Sequence, residues 1–311
     1  MRAGSIPPPI GRWRDTTRGK RSTRRRTCPD TRARSVNIVG LFHFPVKSLR
    51  GVAVESLELE ARGPLHDREW MLVDPNGRFL SQRGTPLMAT LSASLMSETL
   101  RLSDDTGAFF DVARANDGTS FDVTVWRDTV AAIDCGDAVA AWLEARLHQP
   151  CRLVRMPDST TRPLDPKFSP RPDAQTGFAD AYPVLLTNSA SLDALNRELP
   201  HALGMERFRP NVVITGAPEW AEDEWRVVQA GAVTFDLVKP CARCAVITTD
   251  QRSGEKPDGA TPLAVLAASR TLPAFGAIFG QNAVHRAAGT LRLGDPLTVL
   301  EKQTRPTFVP R

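Results

Sequence analysis

The sequence predicts an α+β fold that is predominantly β, and three observations lead to it. Short runs rich in β-branched and aromatic residues recur from Val36 to Leu300, bounded by turns of Gly, Pro, Asn and Asp. A helical period replaces the strand pattern in only a few places. The chain of 311 residues, 41% apolar and 24% charged, can bury a sizeable core, enough for two domains, and has no apolar run of eighteen residues. It therefore reads as soluble, without a membrane partner. Five cysteines at uneven spacing, with no secretory signal, do not form a disulfide framework and point to a reducing cytoplasm.

The formal charge of +5 is concentrated at one end. Residues 1–35 hold eleven Lys and Arg against two Asp, a net of +9, so the remainder carries −4. This stretch, with Arg24-Arg25-Arg26 and Pro7-Pro8-Pro9, cannot bury a core and is expected to be a disordered basic tail. It is read as solvated, or as the product of a start codon placed too far upstream, and not as a nucleic-acid arm or a targeting peptide. No aromatic interleaving or amphipathic spacing accompanies its charges.

The first domain, residues 36–157, opens on the alternating strand Val36 to Phe44, stopped by Pro45. Lys47-Ser48 follows at the strand end, where a cation, a hydroxyl and free backbone donors suit an anion; a solvated turn is the plain alternative. Strands are expected at Val54–Leu59 and at Arg68–Asp74, with Asn76-Gly77 turning a hairpin into Phe79–Arg83. That pairing brings Arg68 and Arg83 together at its open end, an arrangement awaiting an anionic ligand, unless Arg68 merely pairs with Asp67 or Glu69 at the surface. Further strands are expected at Leu95–Leu102, Phe109–Val112, Phe121–Trp126, Val130–Ile133 and Cys151–Val154. Asp137–Leu147 reads as an amphipathic helix begun after Gly136. Residues 158–177, rich in Pro, Asp and Ser, are expected to be a long exposed loop or linker.

The second domain, residues 178–301, offers the strand Val184–Thr187 and a helix Ala190–Leu199 capped by Asn188 or Ser189. Arg207 and Arg209 precede the apolar strand Val212–Ile214. The Val233–Val238 strand, broken by Pro240, then leads to Cys241 and Cys244 and on to a second expected strand, Ala245–Thr249. One C-x-x-C without a second pair argues against structural zinc, and a strand after Cys244 argues against a thioredoxin-type helix. Two readings stay open: a thiolate favoured by the flanking Lys239 and Arg243, able to take a soft metal, or two small buried core residues.

Eight motifs in order spell out a resemblance. Phe44-Pro45-Val46-Lys47-Ser48, Asp67-Arg68-x-Trp70, Ser81-x-Arg83, Phe178-Ala179-Asp180-x-x-Pro183, Arg207-Phe208-Arg209-Pro210-Asn211, Lys239-Pro240-Cys241-x-Arg243-Cys244, Phe279-Gly280-Gln281-Asn282 and Gly294-Asp295-Pro296 are together similar to the MOSC family. The branch they resemble is that of the mitochondrial amidoxime-reducing component and its bacterial relatives. The likeness covers about residues 36–301 and leaves 302–311 as a C-terminal tail. It implies an N-terminal β-barrel-like domain followed by a MOSC β-barrel domain with a few helices.

It further implies a molybdenum–molybdopterin cofactor with Cys244 as the metal ligand and Cys241 as a neighbour that does not bind metal. Lys47, Ser48, Arg68, Arg83, Arg207, Arg209 and Asn211 are the residues it assigns to holding the pterin and its phosphate. Asp180 is placed near the cofactor, orienting pterin nitrogens or handling protons. The activity implied is reduction of small N-hydroxylated molecules such as hydroxylamines, amidoximes and N-hydroxylated bases. Some bacterial relatives carry a C-terminal iron–sulfur domain; no such cluster is expected in this chain. Electrons are expected from a separate ferredoxin-like or flavin reductase, and no nucleic-acid partner is expected. The competing reading is a sulfur-transfer or cofactor-carrier protein using Cys244, weakened by the lack of a pyridoxal-dependent desulfurase region.

Overall fold

The computed structural model describes residues 35–115 and 118–309. The basic tail inferred for residues 1–35 lies, apart from Ser35, outside the described residues. Seven strands close a barrel: β1 (Val36–His43), β2 (Val184–Asn188), β3 (Val212–Thr215), β4 (Trp225–Ala230), β5 (Val233–Ala242), β6 (Gly276–His285) and β7 (Pro296–Lys302). Pairing runs β2, β3, β1, β7, β4, β5, β6 and returns to β2. Every seam is antiparallel except the parallel β2–β3 pair. Closure leaves no free sheet edge, and alternate side chains fill the interior. Ile38, Leu186, Val212, Ile214, Val228, Phe235, Leu237 and Leu297 share that core. The chain's first described strand is thus a stave of the barrel that residues 184–302 otherwise build.

Two further open sheets form a half-barrel. Trp70–Val73, Arg152–Arg155, Asp128–Asp134 and Ser120–Val125 pair in that order, and Ser92–Leu95, Thr99–Ser103 and Phe109–Ala113 make a three-stranded meander. Helix α1 (Asp137–Leu147) begins at Gly136 as expected. Its Val139, Leu143 and Leu147 pack with Trp70, Leu72, Leu100 and Leu102. The opposite face of the Trp70 strand, Met71 and Val73, packs with Val123, Val154 and Phe178, so this strand is buried on both sides.

Several expectations need correction. The run Leu95–Leu102 is two strands with a turn at Ser97-Glu98, where Met96 N–H donates to the Thr99 carbonyl (2.8 Å). The Asn76-Gly77 turn forms, with Asp74 Oδ1 accepting from Asn76 and Arg78 N–H, but the second arm pairs only near Phe79 and Leu80. Residues 158–177 are irregular but not simply exposed. Leu164 and Ala174 are buried with Tyr182 and Val284, and Arg162, 4% exposed, donates to the carbonyls of Gly177 and Ala179.

Pro240 does not end its strand: β5 runs to Ala242 and shifts register on both sides of the proline, so the missing N–H falls at a bulge. Ala245–Thr248 is a short 3-10 helix capped at Cys244, not a strand. Helix α2 (Ser189–Asn196) is capped by the Asn188 side chain, while α3 (Thr261–Ser269), with Pro at its start, and the long β6 were not foreseen.

Candidate functional site

Between the half-barrel and the closed barrel lies a cavity of about 140 Å³. All ten residues singled out in the sequence line it: Lys47, Ser48, Arg68, Arg83, Asp180, Arg207, Arg209, Asn211, Cys241 and Cys244. They arrive on short connections from both parts of the fold. Ser48, Arg68 and Arg209 hold positive φ angles of 67°, 50° and 54°, which side chains rarely adopt. Such strain concentrates where a framework fixes a ligand clamp.

The charge in the cavity is layered. Lys47 is buried (4% exposed), donates to the Phe178 carbonyl (2.9 Å) and pairs with Asp180. Burial lowers the Lys47 ammonium's proton affinity, and Asp180 opposes that change. For Asp180 the balance is reversed. Its position in the cavity wall disfavours the charge, but Lys47, Arg83 and the Trp126 N–H together outweigh this and hold the carboxyl well below the usual carboxylate range. Its side chain is still 64% accessible toward the cavity, so a ligand can reach it.

Arg68 and Arg209 both lie against the buried ring of Phe44, their Cζ atoms 4.2 and 4.5 Å from its centroid. Arg68 pairs with Asp67 and donates to Asn211 Oδ1 (3.0 Å), so the surface-pairing alternative holds only for the partner and not for the place. Asn211 is 1% exposed and fully engaged: its Nδ2 donates to Phe42 O (3.2 Å) and Asp67 Oδ1 (3.3 Å). Arg209 has no carboxylate partner among the described residues and donates to Leu49 O (2.7 Å). Burial and then the neighbouring Arg68 push its guanidinium down to about 9, so it stays charged at neutral pH and gains from an anion. Arg207 is turned to Thr248 O (3.2 Å) and Asp250 (3.1 Å), tying down the segment after Cys244.

The two thiols differ. Lys239 and Arg243, expected to stabilise a thiolate, are occupied elsewhere. Lys239 Nζ lies over the rings of Phe168 and Phe275 (4.6 and 5.1 Å), and Arg243 donates to the carbonyls of Phe279 (2.9 and 2.6 Å) and Phe208 (2.9 Å). The cation at Cys244 comes from the other part of the fold: Arg83 Nε donates to Cys244 Sγ at 3.3 Å. At Cys241 burial pushes the thiol up and outweighs Arg243, which keeps it protonated.

Sequence reasoning missed four contributors. Gln82 and Gln251 exchange amide hydrogen bonds (3.0 and 2.9 Å) and lock the Arg83 segment to the cysteine segment. Phe44 spaces two arginines; its place in the Phe44-Pro45 motif was the only signal. Trp126 donates its indole N–H to Asp180 (3.1 Å), and a tryptophan in a two-residue turn was the sign that could have found it. Among the described residues no group of three or more His, Cys, Asp or Glu could hold a metal by itself. A metal here needs a ligand that brings its own donors, and a thiol facing a cation-lined cavity suits a thiophilic metal carried by an anionic cofactor.

Two family models match the chain: the MOSC N-terminal beta barrel domain over residues 35–150 and the MOSC domain over residues 173–298. The chain is similar to mitochondrial amidoxime-reducing component 1 of Homo sapiens, at 31% identity over 89% of this chain and 88% of that protein. The corresponding protein of Mus musculus is 32% identical over 85% of this chain and 82% of its own length. A molybdenum cofactor sulfurase of Caenorhabditis elegans is 30% identical over 71% of this chain but only 30% of that protein.

Proposed function

We propose, for a chain that belongs to the MOSC family, in the branch of the amidoxime-reducing components, that it is a molybdenum-cofactor-dependent reductase of N-hydroxylated compounds. The observation that carries this reading is the convergence of Cys244 with Lys47, Arg68, Arg83 and Arg209 on one cavity. Likeness along nearly the full length of amidoxime-reducing components supports it, whereas the sulfurase match spans less than a third of that protein.

When bound, the cofactor supplies the two-electron change that turns N–OH into N–H and water, with two protons consumed. Everything else falls to the chain's own residues. Cys244 is the metal's protein ligand, with Arg83 holding its sulfur. Lys47, Ser48, Arg68 and Arg209 bind the pterin and its phosphate, and Asn211 fixes Arg68 both directly and through Asp67. Arg207 holds the loop that carries the thiol. Asp180, kept ionised, accepts hydrogen bonds and orients donors; it does not supply a proton at neutral pH. Cys241 stays a neutral neighbour. Electrons come from a separate ferredoxin-like or flavin reductase.

The test is metal analysis of the protein purified from a host that makes molybdopterin, with benzamidoxime reduction by an artificial donor. Near-stoichiometric molybdenum and turnover are expected. Cys244→Ser should lose the metal and about 100-fold or more of the activity, while Cys241→Ser keeps both within about threefold. The opposite pattern would place the ligand on the wrong thiol. Metal-free protein with cyanide-labile sulfur on Cys244 would favour a sulfur carrier.

A further inference from the structure

Trp126 is 44% exposed and stands at the cavity rim without lining its wall. It is the first residue of the two-residue turn joining Ser120–Val125 to Asp128–Asp134, and its φ is 57°. Turns of this kind favour Gly or Asn at positive φ, and a bulky aromatic residue there is strained. The strain puts the indole where three contacts meet. Its N–H donates to Asp180 Oδ1 (3.1 Å), the Arg83 guanidinium carbon lies 4.4 Å from its ring centroid, and the Phe79 ring packs tilted against it with the two centroids 5.0 Å apart. Arg83 in turn reaches Cys244, and Asp180 reaches Lys47.

We propose that Trp126 is a positioning residue: a strained turn of the half-barrel uses it to hold Arg83 against the Cys244 sulfur and Asp180 against Lys47. Its effect on catalysis rests on the reductase reading; its effect on geometry does not. Without the indole, Arg83 keeps its contact to sulfur and a loose 3.9 Å approach to Asp180, and Asp180 keeps Lys47 and that same approach, so both side chains lose a fixed partner at the cavity mouth. Misplaced groups of this kind lower turnover more than binding.

The first arm needs no cofactor. The sequence has six tryptophans. In apoprotein labelled with nitrogen-15 at the indoles, the Trp126 signal, identified by its loss in Trp126→Phe, should move in Asp180→Asn more than any other indole signal. A signal that stays put removes the contact and the proposal. In the loaded enzyme, Trp126→Phe keeps a ring for Arg83 but loses the N–H, and about a tenfold fall in kcat is expected with KM within twofold and molybdenum content unchanged. Trp126→Gly relieves the turn and removes both contacts, and about a 100-fold fall in kcat is expected with molybdenum still bound. A kcat within twofold in Trp126→Gly, or metal lost in step with activity, would overturn the proposal. Wild-type protein lacking molybdenum would defeat the reductase reading, and the indole signal would still decide the placement of Trp126.

Discussion

Two clusters of buried charge belong to the same fold and meet opposite fates. In the cavity cations prevail, and Asp180 is held ionised by Lys47 and Arg83. On the 3-10 helix Ala221–Glu224, Glu222 and Asp223 lie side by side, both 0% exposed. Asp223 receives Arg270 (2.6 Å) and Gln281 (3.0 Å), but Glu222 receives the neutral Asn188 (3.1 Å), and its Oε1 has no partner among the described residues. Burial, with Asp223 adding to it, pushes the Glu222 carboxyl up to about 7. Burial disfavours the charge of all these carboxyls, and the neighbours decide which stay ionised. A cluster with surplus negative charge takes a proton. The cavity has surplus positive charge, with Arg209 lacking a carboxylate partner, and its natural complement is an anion.

The largest effect expected from breaking that contrast is at Arg209. Arg209→Met removes a half-buried cation that serves the ligand on the proposed reading. Cofactor retention, followed as molybdenum per protein after dialysis, should fall at least about 100-fold, or roughly 3 kcal/mol. The apoprotein should be no less stable than wild type by more than about 1 kcal/mol, because the lost bond to Leu49 is offset by relief from Arg68. A large loss of apoprotein stability with full retention would make Arg209 a structural residue and collapse the contrast.

Glu222 tests the other half, and here the effect is on stability. Its folded value lies above the ordinary carboxylate value of 4.5, so the protonated form is the one that stabilises the fold. That contribution is complete below pH 4.5 and is lost as pH rises through about 7. Over this window the loss is on the order of 3 kcal/mol. Glu222→Gln should flatten the fall, leaving the variant more stable than wild type at pH 8 and nearly equal at pH 5 in urea unfolding. A variant less stable at pH 8 would show Glu222 to be ionised and paired.

The residues that meet in the cavity were legible because each stood in a short motif, whereas their partners were not. Lys47, Arg68, Arg209 and Cys244 declared themselves by type and order. That Arg83, not Lys239 or Arg243, would reach the sulfur depends on the closure of the barrel against the half-barrel, a long-range pairing that no local pattern encodes. The extent of the helix Asp137–Leu147 was readable, with its Gly136 start, but its buried face was not: Ala138, Ala141 and Ala145 looked like the apolar stripe, and Val139, Leu143 and Leu147 are the residues that pack inward. The 3-10 turn after Cys244 was hidden because Val246 and Ile247 carry β-branched side chains that favour strands, and the packing of Ile247 against Phe208 and Phe279 overrides that preference. Pro240 looked like a strand end since a bulge leaves no trace in a single sequence. The barrel itself was legible only through resemblance, because β1 joins strands more than 140 residues later in the chain.

The smallest effect sharpens what makes the cavity an anion clamp. Arg68 and Arg209 are like charges held apart by the ring of Phe44, which is 2% exposed, and the space beside that ring exists because residue 51 is glycine. A Cβ there would come 2.3 Å from Phe44 Cε1, too close for both to stay. Gly51→Ala must therefore shift the ring and with it both guanidiniums, costing about 1–3 kcal/mol of stability by overpacking. Cofactor retention should fall less than in Arg209→Met, since both charges remain. Adding Phe44→Leu makes room for the new methyl group and should return part of the stability, but not the retention, because nothing then sets the spacing of the two arginines. Recovery of both together would show that the cavity needs the charges alone and not the ring between them.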